Sequence, residues 1–308
     1  MSFGSSDSWV ILNPIEQAIK AKIEKYGTPL KDWDIQINYG IKTGCNEAFI
    51  ISTAKRNEIL AACKTQEERQ RTADIIRPVL RGRDIKRYSY DWAELWIIAT
   101  FPSRNYDIED YPALKNYLLS YAKEELIANG KEQISEKFLH DYCKHKLSQT
   151  GETITINGRT VKARKKTNNK WFETQDSIGY WDDFNKPKLI YSEIVQSPKF
   201  YFDENGNFFN EATAFLLVGK HLKYLVKMFH SRLMAYSFKT FYAGGGLGAE
   251  GIRYKKAFLE KLPIILPTEE QEKFFFSEKS EIETEKYVYE LYNISKEEQE
   301  FIESQYSQ

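Results

Sequence analysis

The spacing of apolar residues at the start of the chain predicts a helix followed by a strand. Ile15, Ile19 and Ile23 recur at helical spacing, and Pro14 suits the first turn of a helix that ends at Tyr26. The run from Trp33 to Tyr39 alternates apolar and polar side chains with a period of two, which is typical of a strand.

The same reasoning divides the rest of the chain into helices and strands. Helices are predicted over Lys55–Ile76, Tyr111–Asn129, Gln133–Leu147 and Leu222–Phe241, and strands over Leu95–Ala99, Lys188–Tyr191, Phe200–Phe202 and Phe215–Val218. Thr153–Val161 reads as a hairpin because Asn157-Gly158 suits a tight two-residue turn. Prolines keep Leu262–Pro267 extended, and Thr268 caps a final helix. The pattern predicts an α+β fold.

Charge is distributed unevenly along the chain. The 308 residues carry 44 basic and 44 acidic side chains, yet residues 268–308 hold twelve acidic residues and four lysines. The first 267 residues therefore have a net charge of +8 and the tail has −8. A basic body favours a polyanionic partner, although a solvated acidic helix on an ordinary enzyme gives the same balance.

Composition narrows the class of protein. No stretch approaches the roughly 18 consecutive apolar residues that a membrane span needs. Residues 1–7 lack the apolar core of a signal peptide, and the three cysteines are too few for a disulfide framework. We therefore expect a cytoplasmic protein without a membrane partner.

Motifs for catalysis, cofactors and metals are weak. No phosphate-binding loop and no G-x-S-x-G element occurs. Gly244–Ala249 satisfies G-x-G-x-x-A, but a predicted helix precedes it, so it is either a connector or a place where backbone approaches DNA. His140, Cys143 and His145 have no second cluster, which favours an amphipathic helix face over a metal site. We predict no catalytic and no metal-binding residues.

Two basic segments point toward nucleic acid. One, free of acidic residues, holds Arg159, Lys162, Arg164, Lys165, Lys166 and Lys170, and the other holds Arg81, Arg83, Lys86 and Arg87. Such side chains neutralise phosphates, and arginine also pairs with guanine in the major groove. Each segment is alternatively a solvated loop.

Four segments, in order, carry a resemblance to a known family. Asn38–Ile51, Ile76–Tyr88, Tyr180–Tyr191 and Arg253–Ile264 resemble the TaqI-like C-terminal specificity domain, the target-recognition region of adenine-specific DNA methyltransferases and type IIG restriction-modification enzymes. In addition, Leu266–Gln271 is similar to the turn into the spacer helix of type I specificity subunits, and Tyr289–Glu298 to the C-terminal end of type IIG chains.

The resemblance implies a recognition part of a longer parent enzyme. The family's [ND]-P-P-[YF] motif is missing, since Asn13-Pro14-Ile15 is the nearest candidate, and so is its S-adenosylmethionine glycine motif. We expect residues 1–30 to be a helical connector from a missing catalytic methyltransferase domain, 31–267 a mixed-sheet target-recognition domain with a basic insertion at about 130–170, and 268–308 an acidic C-terminal helix. This part would need no cofactor. The parent would use S-adenosylmethionine to methylate adenine, with Mg²⁺ as a further candidate.

The expected partner is double-stranded DNA, read in the major groove. The predicted DNA-contacting residues are Lys42, Thr43, Asn46, Arg81, Arg83, Lys86, Arg87, Arg164, Lys165, Lys166, Lys170, Glu193, Gln196, Tyr242 and Arg253. Glu193 would accept from cytosine and Gln196 would address adenine.

The acidic tail should face away from DNA and pack on the body or on the missing domain. Phe275, Ile282 and Tyr289 offer it a seven-residue packing stripe. The competing hypothesis is a protein-interaction scaffold, like a specificity subunit, that does not bind DNA by itself.

Overall fold

A computed structural model describes residues 12–128, 134–243, 251–277 and 280–306. The helices are α1 (Pro14–Tyr26), α2 (Asn46–Phe49), α3 (Thr53–Ala61), α4 (Gln66–Ile75), α5 (Pro112–Leu118), α6 (Lys123–Ala128), α7 (Glu136–Leu147), α8 (Leu222–His230), α9 (Arg232–Ser237), α10 (Lys256–Leu259), α11 (Glu269–Phe276), α12 (Glu281–Leu291) and α13 (Lys296–Ser304). The strands are β1 (Thr28–Pro29), β2 (Ile35–Tyr39), β3 (Ile50–Ser52), β4 (Ile76–Leu80), β5 (Leu95–Ile98), β6 (Thr153–Ile156), β7 (Arg159–Lys162), β8 (Lys188–Ser192), β9 (Ile194–Val195), β10 (Phe200–Asp203), β11 (Phe209–Asn210), β12 (Ala214–Gly219), β13 (Ile252–Arg253) and β14 (Pro263–Ile264).

One four-stranded sheet, in the order β10-β8-β12-β2, is antiparallel throughout. Leu189 and Tyr191 on β8 face the main core, where they meet aromatic and aliphatic side chains of α8. Ile190, between them, faces a different apolar cluster. The sheet is therefore buried on both faces, which explains why β8 and β12 read as continuous apolar runs.

The second four-stranded sheet, in the order β11-β4-β5-β3, contains one parallel pair, β11 with β4, and antiparallel pairs elsewhere. Together with the flanking helices, these sheets give the predicted α+β fold with mixed pairing. Strand β4 ends in this sheet immediately before Arg81, and β11 ends immediately before Glu211. Their ends therefore leave the sheet at the same edge, because parallel strands point the same way.

A buried ion pair fixes the hairpin of β8 and β10. Lys188 and Asp203 are both fully buried, with Nζ 2.7 Å from Oδ2. The Lys188 ammonium also donates to the carbonyl of Phe184 at 2.7 Å, and Asp203 accepts the backbone N–H groups of Asn207 and Phe208. Burial lowers the pKa of Lys188, and the nearby carboxylate opposes that effect. A buried charge is tolerated only when it is paired and hydrogen-bonded in this way.

The predicted hairpin and the first helix are confirmed. Asn157 and Gly158 both adopt positive φ, at 46° and 78°, as a tight two-residue turn between β6 and β7 requires. Asn13 caps α1 and forms a reciprocal capping box with Glu16.

Several long helices predicted from periodicity are broken in the structure. Thr65 starts α4 as a separate helix after α3, and Ser231 separates α8 from α9 by accepting the backbone N–H of Met234. The prediction of a single C-terminal helix is wrong, because Ser280 and Ser295 cap α12 and α13 as new helices after α11. Side-chain caps satisfy the exposed backbone donors, and apolar periodicity does not register such local stops.

The acidic tail packs on the body, as expected. Phe275, Tyr292 and Ile302 are buried in the main core, and Lys22 of α1 forms an ion pair of 2.6 Å with Glu298. The seven-residue stripe is wrong at its centre, since Ile282 is 82% exposed.

Candidate nucleic-acid interface

A cleft of about 660 Å³ opens where several strand ends meet. Its walls come from the first turn of α2, the loop after β4, the segment from β8 into β9, the start of β10 and the turn between β11 and β12. The lining residues are Asn46, Arg81, Gly82, Arg83, Ser192, Glu193, Ile194, Lys199, Glu211, Ala212 and Thr213. Four of them, Asn46, Arg81, Arg83 and Glu193, are predicted DNA contacts that lie far apart in the sequence.

The loop after β4 is held rigidly against the turn between β11 and β12. Arg81 donates from Nε and Nη2 to the two carboxylate oxygens of Asp84, at 2.9 and 2.7 Å, and this hydrogen bonding raises the pKa of Arg81. The backbone N–H of Gly82 donates to Thr213 Oγ1 at 2.8 Å. Because Arg81 is committed to Asp84, Arg83 is the exposed cation of this loop.

Glu193 and Arg253 form an ion pair at the cleft. Arg253 Nε lies 2.8 Å from Glu193 Oε1, and the short strands β9 and β13 pair beside them. The backbone N–H of Tyr254 donates to the carbonyl of Glu193 at 2.7 Å. The sequence predicted these two side chains as separate contacts. In the structure Arg253 does not line the cleft and instead orients the carboxylate of Glu193, which does.

Arg164 holds the turn that brings Asn46 to the cleft. Its guanidinium donates to four backbone carbonyls, those of Thr43 at 2.6 Å, Leu147 at 2.8 Å, Trp171 at 2.7 Å and Glu173 at 2.8 Å. Only 5% of Arg164 is exposed, and burial lowers its pKa to about 10, so that it stays protonated near neutral pH. Thr43 is also buried and donates its hydroxyl to Asn46 Oδ1 at 2.6 Å.

Two residues that the sequence predicted to contact DNA are therefore buried in the structure. Arg164 and Thr43 present no side-chain surface to a duplex, and both instead fix the shape of the turn over residues 42–46. Neither side chain is therefore part of the candidate interface. The sequence pattern did not show that Arg164 is buried, because Arg164 lies in the same basic run as the exposed Lys165 and Lys166. A pattern of charges does not record that a side chain is buried against backbone carbonyls.

Other predicted residues do not line the cleft. Lys86 pairs with Asp91 at 3.2 Å, and Arg87 pairs with Glu281 of α12 at 3.3 Å. Tyr242 donates its hydroxyl to Glu24 of α1 at 3.3 Å, and burial raises its pKa. Gln196 is exposed beyond β9, and Lys42 is exposed on the turn that holds Asn46.

The basic insertion contributes exposed lysines beside its buried arginine. Lys165, Lys166 and Lys170 are exposed, and Lys170 Nζ donates to the carbonyl of Tyr106 at 3.1 Å. Residues 130–133 of the insertion and 244–250 of the glycine loop lie outside the described residues.

The structure adds four polar residues that the sequence did not single out. Ser192, Lys199, Glu211 and Thr213 all line the cleft. Glu211 is 6% exposed and accepts a hydrogen bond from the Thr213 hydroxyl. Ser192 is the last residue of β8, and Lys199, Glu211 and Thr213 lie in short connections between strands, so no sequence signal marks the four as neighbours.

The cleft offers both donors and acceptors. Among the described residues, Arg83 and Lys199 have no ion-pair partner, and the Asn46 carboxamide retains its nitrogen as a donor because its oxygen accepts from Thr43. Glu193 and Glu211 supply carboxylate oxygens. The edges of base pairs in the major groove also mix donors with acceptors, whereas phosphates are acceptors alone.

The described ranges contain neither a candidate metal site nor a membrane-spanning helix. No group of three or more histidine, cysteine, aspartate or glutamate side chains there is arranged to hold a metal ion. No helix within those ranges is long and apolar enough to cross a membrane.

Comparison with known proteins identifies a family and several similar solved structures. The TaqI-like C-terminal specificity domain matches residues 77–264, well over half of the chain. The type IIG restriction endonuclease BpuSI aligns with a TM-score of 0.49 at 11% identity, over 91% of this chain and 32% of its own. MmeI, a type IIL restriction-modification enzyme solved in complex with DNA, aligns with a TM-score of 0.49 at 12% identity, over 87% of this chain and 34% of its own.

This chain therefore spans about a third of the length of each of these two proteins. No curated protein matches it in sequence. The resembling segments 38–51 and 266–298 lie outside the matched range of the family.

Proposed function

The chain belongs to the TaqI-like C-terminal specificity domain family, and from this premise we propose that it recognises a specific sequence in double-stranded DNA through the cleft between its strand ends. The observation that carries the proposal is the convergence of Asn46, Arg83 and Glu193, from three separate segments, on one open cleft. Solvated loops without a shared role have no reason to meet there.

The polarity of the cleft supports base reading as well as backbone binding. Arg83 is exposed and has the planar donor geometry that pairs with guanine, and Glu193 is held by Arg253 as an acceptor suited to cytosine. Lys199 and the exposed Lys42 add positive charge for phosphates. The ion pairs of Arg81 with Asp84 and of Glu193 with Arg253 hold the side chains of the cleft in position before DNA binds.

The position of the acidic tail is consistent with DNA binding in the cleft. Its helices α11–α13 pack on the main core, and Glu281 neutralises Arg87. The acidic side chains that would repel DNA thus lie on the helices α11–α13. The cations Arg83 and Lys199 lie in the cleft.

The parent enzyme is part of the same proposal. We infer a longer, cytoplasmic restriction-modification enzyme whose catalytic domain methylates the N6 of adenine with S-adenosylmethionine. That domain would extract its target adenine from the duplex while this chain binds the flanking sequence. The chain itself would contribute recognition and no catalytic group.

The test is selection from a randomised duplex library with the purified chain at two salt concentrations. We expect an enriched motif, because the cleft mixes donors and acceptors. Arg83→Gln should relax preference at one position by about 1–3 kcal/mol if it reads a base. If Arg83 contacts a phosphate instead, affinity should fall equally for all sequences, and the slope of log K against log salt should drop by about one.

Lys296→Gln is the matched control. Lys296 is 91% exposed at the start of α13, so its replacement removes the same charge away from the cleft and should change neither specificity nor slope appreciably. Absence of duplex binding at low salt would contradict the proposal and favour the protein-interaction scaffold.

A further inference from the structure

A second pocket lies at the opposite end of β4 from the cleft. It encloses about 210 Å³, and three arginines, Arg71, Arg77 and Arg104, line it. Arg77 is on β4 itself and Arg81 follows the last residue of that strand. The two residues are four positions apart, so the pocket and the cleft are separated by about 13 Å of extended chain.

The three guanidiniums are held by neutral partners. Arg104 Cζ lies 3.7 Å from the centroid of the Trp181 ring, and Arg77 Cζ lies 5.2 Å from that of Phe209. Arg77 Nη2 also donates to Asn185 Oδ1 at 3.3 Å, and Arg71 Nη2 donates to a backbone carbonyl. Aromatic faces and amide oxygens orient a guanidinium without neutralising it.

The charge of the pocket is strongly positive. Within the described part of the chain, none of the three arginines forms an ion pair with a carboxylate. One carboxylate, that of Asp74, lines the pocket, and it is exposed and accepts from the Gln70 amide at 2.8 Å. Three cations against one anion leave a net of two positive charges.

Arg77 also carries an unused donor. Its Nε is buried and has no hydrogen-bond partner among the described residues. A buried polar group without a partner costs about 1–3 kcal/mol, and more when it is charged. Because this atom has almost no accessible surface, an acceptor in the pocket would meet the other N–H groups of the Arg77 guanidinium, which lines the cavity.

We propose that this pocket binds the phosphate group of a nucleotide. Guanidiniums bind phosphate through parallel N–H donors, and two net positive charges suffice for the dianion of a terminal phosphate or the monoanion of a backbone phosphodiester. The phosphate has two sources, a free nucleotide or the DNA backbone. The separation of about 13 Å from the cleft equals the rise of about four base-pair steps along the axis of B-form DNA. The pocket does not depend on the role of the cleft, so the inference goes beyond the proposed function.

Isothermal titration of the full chain with inorganic phosphate, adenosine 5′-monophosphate and adenosine tests the proposal. We expect saturable binding of the two phosphate-bearing compounds and none of adenosine. R77Q and R104Q should each weaken binding about tenfold or more, since each removes a charge-assisted contact. K296Q is the matched control: it removes one positive charge at a residue that is 91% exposed on α13, outside both the pocket and the cleft, and should leave phosphate binding unchanged.

A fold control and a competition complete the experiment. R77K retains the charge and should recover part of the affinity, and thermal melting shows that the variants remain folded. If saturating duplex abolishes binding of adenosine 5′-monophosphate, the pocket takes a backbone phosphate; if binding persists, it takes a free nucleotide. Absence of phosphate binding, or binding that folded R77Q and R104Q both retain, would overturn the proposal. Either result is independent of whether R83Q alters duplex recognition, so failure of this pocket and failure of the cleft are distinguishable.

Discussion

Replacement of Arg164 by methionine separates a structural arginine from a DNA contact. The side chain is 5% exposed and gives four hydrogen bonds of 2.6–2.8 Å to backbone carbonyls. Methionine keeps much of the apolar stem and removes all four donors. The variant therefore leaves buried carbonyls without partners and frees the turn over residues 42–46.

The expected loss of stability follows from these bonds. A hydrogen bond to a charged group contributes about 1.5–3 kcal/mol, so four would sum to roughly 6–12 kcal/mol. Burying the guanidinium offsets several kcal/mol of that sum. We expect Arg164→Met to lower the free energy of unfolding by about 3–5 kcal/mol, because the four hydrogen bonds outweigh the cost of burying the charge and the buried carbonyls lose their partners.

Urea unfolding followed by circular dichroism measures this loss, with Lys165→Met as the matched control. Lys165 is adjacent and exposed, so its replacement should change stability by no more than about 0.5 kcal/mol. In duplex binding, Arg164→Met should weaken affinity through the loosened turn and leave the salt slope unchanged. If stability stays within about 1 kcal/mol of the original chain while the slope falls by about one, Arg164 contacts phosphate and the structural role is refuted. Arg164→Lys retains a charge and should be intermediate, which keeps the test usable if the methionine variant does not fold.

Two further predictions concern pH and the cleft. Burial lowers the pKa of His230 to about 3, and its ring nitrogens meet the backbone of Val226 and Phe200. Below pH ~6.5 His230 therefore binds a proton in the unfolded chain but stays neutral in the folded chain. The free energy of unfolding is thus highest above that pH and declines by about 2 kcal/mol from pH 7 to pH 5. His230→Gln should flatten that decline in urea titrations at the two pH values, and an undiminished decline would contradict the assignment. A Cβ at Gly82 would lie 2.6 Å from the carbonyl oxygen of Thr213, so Gly82→Ala should displace the loop of Arg83 and weaken duplex binding. The control is Gly179→Ala, which meets nothing within 4 Å; equal binding by both variants would count against the cleft.

The sequence determined local structure wherever a short-range rule applies. The cap of Thr268 on α11 and the Asn157-Gly158 turn act over two to four residues, and both form as predicted. The ordered motifs between residues 76 and 264 sufficed for the family, because a family is defined by such residues and their order.

Tertiary structure alone decided which polar residues share a surface. Arg164 and Lys165 are neighbours in a basic run, yet one is buried under four carbonyls and the other is exposed. Lys199 and Glu211 line the cleft only because β10 begins beside the end of β8 and β11 ends beside the end of β4. Burial and long-range pairing depend on the whole packed core, and a linear pattern records neither.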